Sequence, residues 1–352
     1  MNKRVLGTGL AAVAVLSLAA CGSRDAKDSG SKSEGKTDLK VAMVTDTGGV
    51  DDRSFNQSAW EGMQAWGKEH DLSKDKGFTY FQSTTEADFS NNFNEAVSNG
   101  YGLIFGVGYK LTKAVSDAAD DNKDTKFVLI DDVIEGKDNV TSATFADNEG
   151  AYLAGVAAAK TTKTNKVGFI GGVEGPVITR FEKGFVAGVK SVNKDIDIKI
   201  DYAASFSDAA KGKTIAAAQY ASGIDVIYQA AGGVGNGVFS AAKAENESKN
   251  EADKVWVIGV DRDQKDEGNY KSKDGKDSNF VLGSTIKGVG AVVKNLSDET
   301  LKGNFPGGKH EVFGIKDGSV EFAETNLNDD AKKAVDSART EIKEGKVEVP
   351  EK

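Results

Sequence analysis

Short apolar runs alternate with amphipathic stretches along most of the chain. LKVAMVT (39–45) is followed by the polar and aromatic segment SFNQSAWEGMQAWGKEH (54–70), FTYFQS (78–83) by ADFSNNFNEAVSNG (87–100), and LIFGVG (103–108) by LTKAVSDAADDN (111–122), before FVLIDD (127–132). Continuous runs of this length, rich in β-branched and aromatic residues, predict buried strands of a parallel sheet. The segments between them carry helical spacing, as in Phe89, Phe93 and Val97. The series resumes with the small-residue helix YLAGVAAAKTT (152–162), KVGFIGG (166–172), RFEKGFVAGVKSVN (180–193), DIKIDYAASF (197–206), GKTIAAAQYASG (212–223), IDVIYQAAGG (224–233) and VWVIGVD (255–261). Strand–helix alternation in two similar series predicts an α/β protein of two doubly wound lobes. The expected division is 38–148 plus about 262–288 for the N-terminal lobe and 149–261 plus about 289–352 for the C-terminal lobe. A chain that returns to lobes already begun implies a multi-segment hinge.

The first residues follow another pattern. Lys3 and Arg4 precede an apolar run from Val5 to Ala20, interrupted by Gly7, Thr8, Gly9 and Ser17 and ending in small residues before Cys21. That is the layout of a secretory signal peptide (1–20), and the run is too short and broken for a permanent span. Leu18-Ala19-Ala20-Cys21 resembles the bacterial lipobox, whose Cys is acylated and becomes the new N-terminus. Residues 21–37 are mainly Gly, Ser and charges and predict a flexible tether with an r.m.s. reach of about 20–24 Å. The expectation is a body held by lipid at the extracytoplasmic face of the cell membrane.

Composition mostly excludes. The 352 residues hold 45 Lys and Arg against 54 Asp and Glu, a net charge of −9; with Lys3 and Arg4 set aside, the part from Cys21 onward stands at −11. An acidic body without a basic face argues against nucleic acid. One Cys and two His (His70 and His310) leave no intrachain disulfide, no thiolate metal site and little material for His chemistry. Gly212-Lys213-Thr214 has Ser207 where a P-loop needs Gly, and Gly233-x-Gly235 is followed by Val238 where a dinucleotide fingerprint needs its third Gly. Asp261-Arg262-Asp263-Gln264-Lys265-Asp266 places Lys at a ligand position of a calcium loop. Nucleoside hydrolases carry Asp-Thr-Asp-Pro-Gly-x-Asp-Asp after their first strand. Thr45-Asp46-Thr47-Gly48-Gly49-Val50-Asp51-Asp52 keeps the final pair but has Thr for two ligand carboxylates. No catalytic residue, cofactor or metal is expected.

What survives is a set of strand ends. Asp46 closes the first strand, Asp131 and Asp132 the fourth, Gly232 and Gly233 end IDVIYQAAGG, and Asp261 ends VWVIGVD. In open parallel sheets the ligand crevice lies outside the carboxyl ends of the strands. Carboxylates there suit hydroxyl groups and N–H edges and repel phosphate; helix capping is the alternative for any one of them. Phe55 and Tyr228 are candidate rings for a flat ligand, with Phe206 in reserve and the core as the alternative for each. Lys287, after Ser284-Thr285-Ile286, could bond a sugar hydroxyl, pair with Asp261 or lie on the surface.

The lipobox, VTDTGGVDDRSFNQSAWEG, LIDD, DNEGAYLAG, IYQAAGG, VIGVDRDQ and STIK occur in this order. With them the chain resembles the basic membrane lipoprotein family, substrate-binding lipoproteins of bacterial ABC importers close to the purine nucleoside receptor A type. The resemblance implies a type I periplasmic-binding fold, a three-segment hinge and a nucleoside closed between the lobes. It implies a base between Phe55 and Tyr228, Asp46 and Asn56 on the base's polar edge, and Asp131, Gly233, Asp261 and Lys287 on the ribose. It further implies a monomeric binder, not an enzyme, serving a permease and separate ATPase subunits. A sugar receptor of the same fold and, more remotely, a nucleoside hydrolase are the competing readings.

Overall fold

The computed structural model describes residues 38–352; the expected signal peptide, Cys21 and the tether lie outside them. Two six-stranded sheets form the body. The first is parallel throughout, in the order β2-β1-β3-β4-β5-β13, with β1 (Val41–Thr45), β2 (Phe78–Phe81), β3 (Leu103–Val107), β4 (Lys126–Ile130), β5 (Val140–Phe145) and β13 (His310–Phe313). The second repeats the layout as β7-β6-β8-β9-β12-β14, with β6 (Lys166–Gly171), β7 (Asp197–Tyr202), β8 (Val226–Ala230), β9 (Trp256–Gly259), β12 (Val281–Lys287) and β14 (Val320–Glu324). There only β14 runs antiparallel to its neighbour. A small hairpin, β10 (Asn269–Lys271) with β11 (Asp277–Asn279), projects from the second lobe.

Burial on both faces explains the unbroken apolar runs. The first sheet is covered by α1 (Phe55–Glu69), α2 (Phe89–Ser98), α3 (Thr112–Asp121) and α8 (Val289–Leu301). The second is covered by α4 (Asp147–Thr161), α5 (Pro176–Val192), α6 (Ala209–Ala221) and α7 (Gly235–Glu247), and α9 (Asp329–Lys343) packs on α4. The largest core cluster passes from the first sheet into the second. No helix among the described residues is long and apolar enough to cross a membrane.

Three segments connect the lobes: Ala146 between β5 and α4, Gly288 between β12 and α8, and residues 314–319 between β13 and β14. They are bonded to one another. Ala146 N–H donates to Phe313 O at 2.8 Å, Gly288 N–H to Ser319 O at 2.7 Å, and Ile315 N–H to the Glu149 carboxylate at 2.8 Å. This corrects the expected assignment of the tail. Residues 281–287 belong to the second sheet, because β12 pairs with β9. Residues 289–313 return to the first lobe, where α8 packs on α1 and β13 pairs with β5. An apolar run announces a strand but not its partner, so periodicity could not place these pieces.

Glycines set how closely the helices approach. A Cβ on Gly188 of α5 would lie 2.1 Å from Tyr152 O of α4, and one on Gly62 of α1 would lie 2.0 Å from Gly290 O of α8. Both obstacles are backbone and cannot rotate away. Gly188→Ala and Gly62→Ala are each expected to lower the unfolding free energy by about 1–3 kcal/mol through overpacking, read from urea midpoints at unchanged slope.

Candidate functional site

The carboxyl ends of the two sheets face each other across the hinge. In each the strand order reverses beside the first strand, β1 or β6, and that switch point is where a crevice opens. Asp46 follows β1 and Gly108 follows β3 at one switch point, with Gly172 and Ala231 at the equivalent places of the other. The cleft so formed encloses about 520 Å³ not filled by protein atoms, its mouth included.

The segment from Asp46 to α1 builds one wall. The Asp46 carboxylate accepts from Gly48 N–H at 2.8 Å and, through the same oxygen, from Asn56 Nδ2 at 2.7 Å. Asp52 gathers the start of the helix: its two oxygens accept from the backbone N–H groups of Ser54 (2.8 Å), Asn56 (2.9 Å) and Gln57 (3.1 Å) and from Asn56 Nδ2 (3.0 Å). A carboxylate at this place satisfies the orphan N–H groups of the helix and favours its dipole. Asn56 is thereby fixed by two carboxylates, and its own Oδ1 is buried without a hydrogen-bond partner among the described residues. Phe55, the first residue of α1, presents a half-buried ring to the cleft.

The other polar end lies between the lobes. Lys287, the last residue of β12, places Nζ 2.7 Å from the Asp131 carboxylate of the opposite lobe and 3.1 Å from Asp147 of its own lobe. Asp131 and Asp261 follow equivalent strands, β4 and β9, and both hold positive φ, 77° and 66°. Asp261 accepts a short bond from Ser54 Oγ across the cleft. Burial pushes the Asp46 carboxyl up to about 6, against the bonds from Gly48 and Asn56. It pushes Asp261 up to about 7, against the pull of Lys287 and Ser54. Burial works against the Lys287 ammonium too, but Asp131, Asp147 and Asp261 outweigh it and raise its pKa, so the lysine is cationic.

Of the expected site residues, Asp46, Phe55, Asn56, Asp131, Asp261 and Lys287 line this one cleft. Tyr228 does not. It is the middle residue of β8, fully buried, with its hydroxyl 2.9 Å from Thr285 Oγ1 and its ring 5.3 Å from Phe185 and 5.8 Å from Phe169. It is a core residue that backs Phe181, 6.5 Å away. Phe181 and Phe206, the reserve candidate, line the cleft instead. Phe206 sits over Gly172, where a Cβ would fall 2.2 Å from its ring, so the glycine makes room for the aromatic. Gly233 also lies behind the surface: Gly232 lines the cleft, while a Cβ on Gly233 would meet Phe206 O at 3.1 Å. Asp132 takes the structural role, accepting from Thr112 Oγ1 at 2.6 Å and Val133 N–H at 2.9 Å.

Sequence reading missed Asp147, Arg180, Tyr109, Phe181, Asp52 and Ser54. Asp147 was within reach, because it follows β5 as Asp131 follows β4. Tyr109 carries a buried hydroxyl without a hydrogen-bond partner among the described residues and stands edge-on to Phe206 at 6.5 Å. Further contacts close the cleft mouth: Arg262 donates to Glu61 at 2.7 and 3.0 Å, Gln264 Nε2 to Arg53 O at 2.9 Å, and Arg53 pairs with Glu267.

Residues 39–352 match the family described as ABC transporter substrate-binding protein PnrA-like. The chain is 61% identical to the ABC transporter nucleoside-binding protein BmpA of Lactococcus lactis, over all of both chains. It is 35% identical to basic membrane protein B of Borreliella burgdorferi, covering 88% of this chain and 86% of that one. Among solved structures, an ABC transporter solute-binding protein of Aeropyrum pernix superposes with a TM-score of 0.74 at 23% identity, covering 89% and 94% of the two chains. The arabinose-binding protein AraP of Geobacillus stearothermophilus does so with 0.57 at 15%, covering 85% and 99%. The last two show the fold alone, that of the two-lobed type I solute-binding proteins. A doubly wound pair of lobes closed over a carboxylate-lined cleft, matched over its whole described length, places the chain in the PnrA-like family of ABC transporter substrate-binding proteins, which are binders and not enzymes.

Proposed function

We propose that the cleft binds nucleosides and delivers them to an ABC permease driven by separate ATPase subunits. The observation that carries this reading is one cleft lined by aromatic rings together with carboxylates from both lobes. Phe55 and Phe206 supply faces for a flat base. Asp46 and the unpaired Oδ1 of Asn56 accept from its N–H edge, and Asp131, Asp261 and Lys287 take the ribose hydroxyls. The Lactococcus relative named for nucleoside binding supports the same assignment. Lipid attachment at Cys21 would hold the receptor at the extracytoplasmic face of the membrane, with the tether giving it reach.

In calorimetry, adenosine, inosine or a pyrimidine nucleoside is expected to bind saturably and AMP at least tenfold more weakly, because Asp46, Asp131 and Asp261 repel a phosphate. Tighter binding of AMP than of adenosine would overturn the assignment, and ribose alone matching the nucleosides would convert it to a sugar receptor. Phe55→Ala and Phe206→Ala should each weaken nucleoside binding by about 1–3 kcal/mol, the worth of one stacking face. Tyr228→Phe should leave affinity within a few-fold and lower stability by about 1 kcal/mol, since it removes only the bond to Thr285.

The raised carboxyls also fix a pH dependence. Asp46 and Asp261 hold protons in the native protein, near pH 6 and 7, that an unfolded chain releases near 3.8. Their stabilising contribution is complete below about pH 4 and lost as pH rises through 6 and 7, about 3 kcal/mol for Asp46 and about 4 kcal/mol for Asp261. Urea unfolding of the ligand-free protein should therefore show falling stability between about pH 4 and 7, and the Asp46→Asn, Asp261→Asn double variant should flatten that slope.

A further inference from the structure

Lys287 is a buried cation whose partners come from two lobes. Asp131 belongs to the first lobe, so that contact is made when the lobes close. Asp147 belongs to the second, like Lys287 itself. Asp147 is 2% exposed and serves two cations with different oxygens: Oδ1 lies 3.1 Å from Lys287 Nζ, and Oδ2 accepts from Arg180 Nη2 at 3.0 Å and Nε at 3.3 Å. Arg180 comes from α5, also in the second lobe. Asp147 opens α4 immediately after the Ala146 crossing, and Lys287 ends β12 immediately before the Gly288 crossing. The pair thus sits where two connections leave the second lobe.

We propose that Asp147, held by Arg180, is the positioning residue that keeps the Lys287 ammonium in place and aimed across the cleft at Asp131, so that the lysine is ready before the lobes close on a ligand. The inference rests on the nucleoside reading of the cleft and adds to it a residue pair, Asp147 and Arg180, that stands behind the cleft lining. Without Asp147, a lysine in the open receptor would be left with Asp261 as its carboxylate neighbour. An ammonium with one carboxylate beside it is held less firmly, and keeps its proton less readily, than one with two. Arg180 acts one step back, because a carboxylate gripped by a guanidinium cannot swing away from the lysine. The charged groups that face Lys287 are Asp131 after β4, Asp147 from α4 and Asp261 after β9, with Arg180 behind Asp147. The remaining neighbours are the rings of Phe145, Phe55 and Phe181, with centroids 5.0, 5.1 and 5.7 Å from Nζ.

The test uses the full chain with Asp147→Asn, Arg180→Gln and Arg180→Lys. The Lys287 amine is titrated by ¹³Cε NMR without ligand, its signal assigned through Lys287→Met, and adenosine affinity is measured by calorimetry from pH 6 to 9.5 beside thermal unfolding. In the wild type the amine is expected to stay protonated, and affinity to stay flat, through pH 9. Asp147→Asn should bring the amine midpoint into the measured range and cost at least tenfold in affinity between pH 7 and 9. Arg180→Gln, whose arginine lies closer to the surface, should act in the same direction more weakly, and Arg180→Lys should restore most of it. An unmoved midpoint and a parallel pH profile in both Asp147→Asn and Arg180→Gln, even with lowered melting temperatures, would overturn the proposal and leave the pair a structural one. Should the midpoint fall while the wild type binds no nucleoside, the hold on Lys287 stands and the nucleoside reading fails.

Discussion

The closed structure turns on one ammonium group. Lys287 is 4% exposed and lies between the lobes, where an unpaired charge would cost several kilocalories per mole. Such a group is stable only with carboxylates around it, and the chain brings them from separate places: Asp131 from the first lobe, Asp147 and Asp261 from the second. This requirement draws together β4, β9, β12 and the start of α4. It also makes closure a matter of charge: parting the lobes removes Asp131 from the lysine, and joining them returns it.

The two lobes supply this arrangement by repeating one layout. Both sheets run second, first, third, fourth and fifth strand, then a sixth added by the tail. Their carboxyl ends meet because all three connections leave from the same side. Asp131 and Asp261 stand at matching strand ends and share a left-handed backbone conformation, uncommon for a non-glycine residue. A shared constraint at matched positions reads as a device for turning each carboxyl away from its strand and toward the cleft.

The fold was legible wherever a physical rule had one reading. Runs such as LIFGVG and FVLIDD read as buried parallel strands, and an Asp closing such a run reads as a crevice residue, with helix capping the alternative for any one of them. Asp46, Asp131 and Asp261 were found that way. Tyr228 could not be placed, because all five residues of β8 are buried and alternation therefore gives no sign of which face looks at the cleft and which at α5. It is the third residue of the strand, not the last, and an apolar run marks a strand end no better than to a residue or two. Phe206 was harder still, as its position depends on Gly172, a residue of another strand end. The tail resisted for a different reason: exchange of β12 and β13 between lobes is a fact of pairing, and no local pattern records it.

The closed cleft also explains how the nucleoside reading allows both tight binding and release. Most of its carboxylates already have partners: Asp46 holds Gly48 and Asn56, Asp261 holds Ser54, and Asp131 holds Lys287. A hydroxyl that bonds one of these trades one hydrogen bond for another, and exchanges of that kind gain little net free energy. The net gain must come from groups that give up little. Those are the ring faces of Phe55 and Phe206 and two buried atoms without hydrogen-bond partners among the described residues, Asn56 Oδ1 and the Tyr109 hydroxyl. A buried polar atom left unsatisfied is costly, and a ligand that satisfies it recovers that cost. For a nucleoside bound as proposed, affinity would concentrate on the base, which the rings and Asn56 would contact, while the sugar end would set orientation and reject phosphate. A receptor built so holds its cargo by a few strong contacts and can release it when the lobes part.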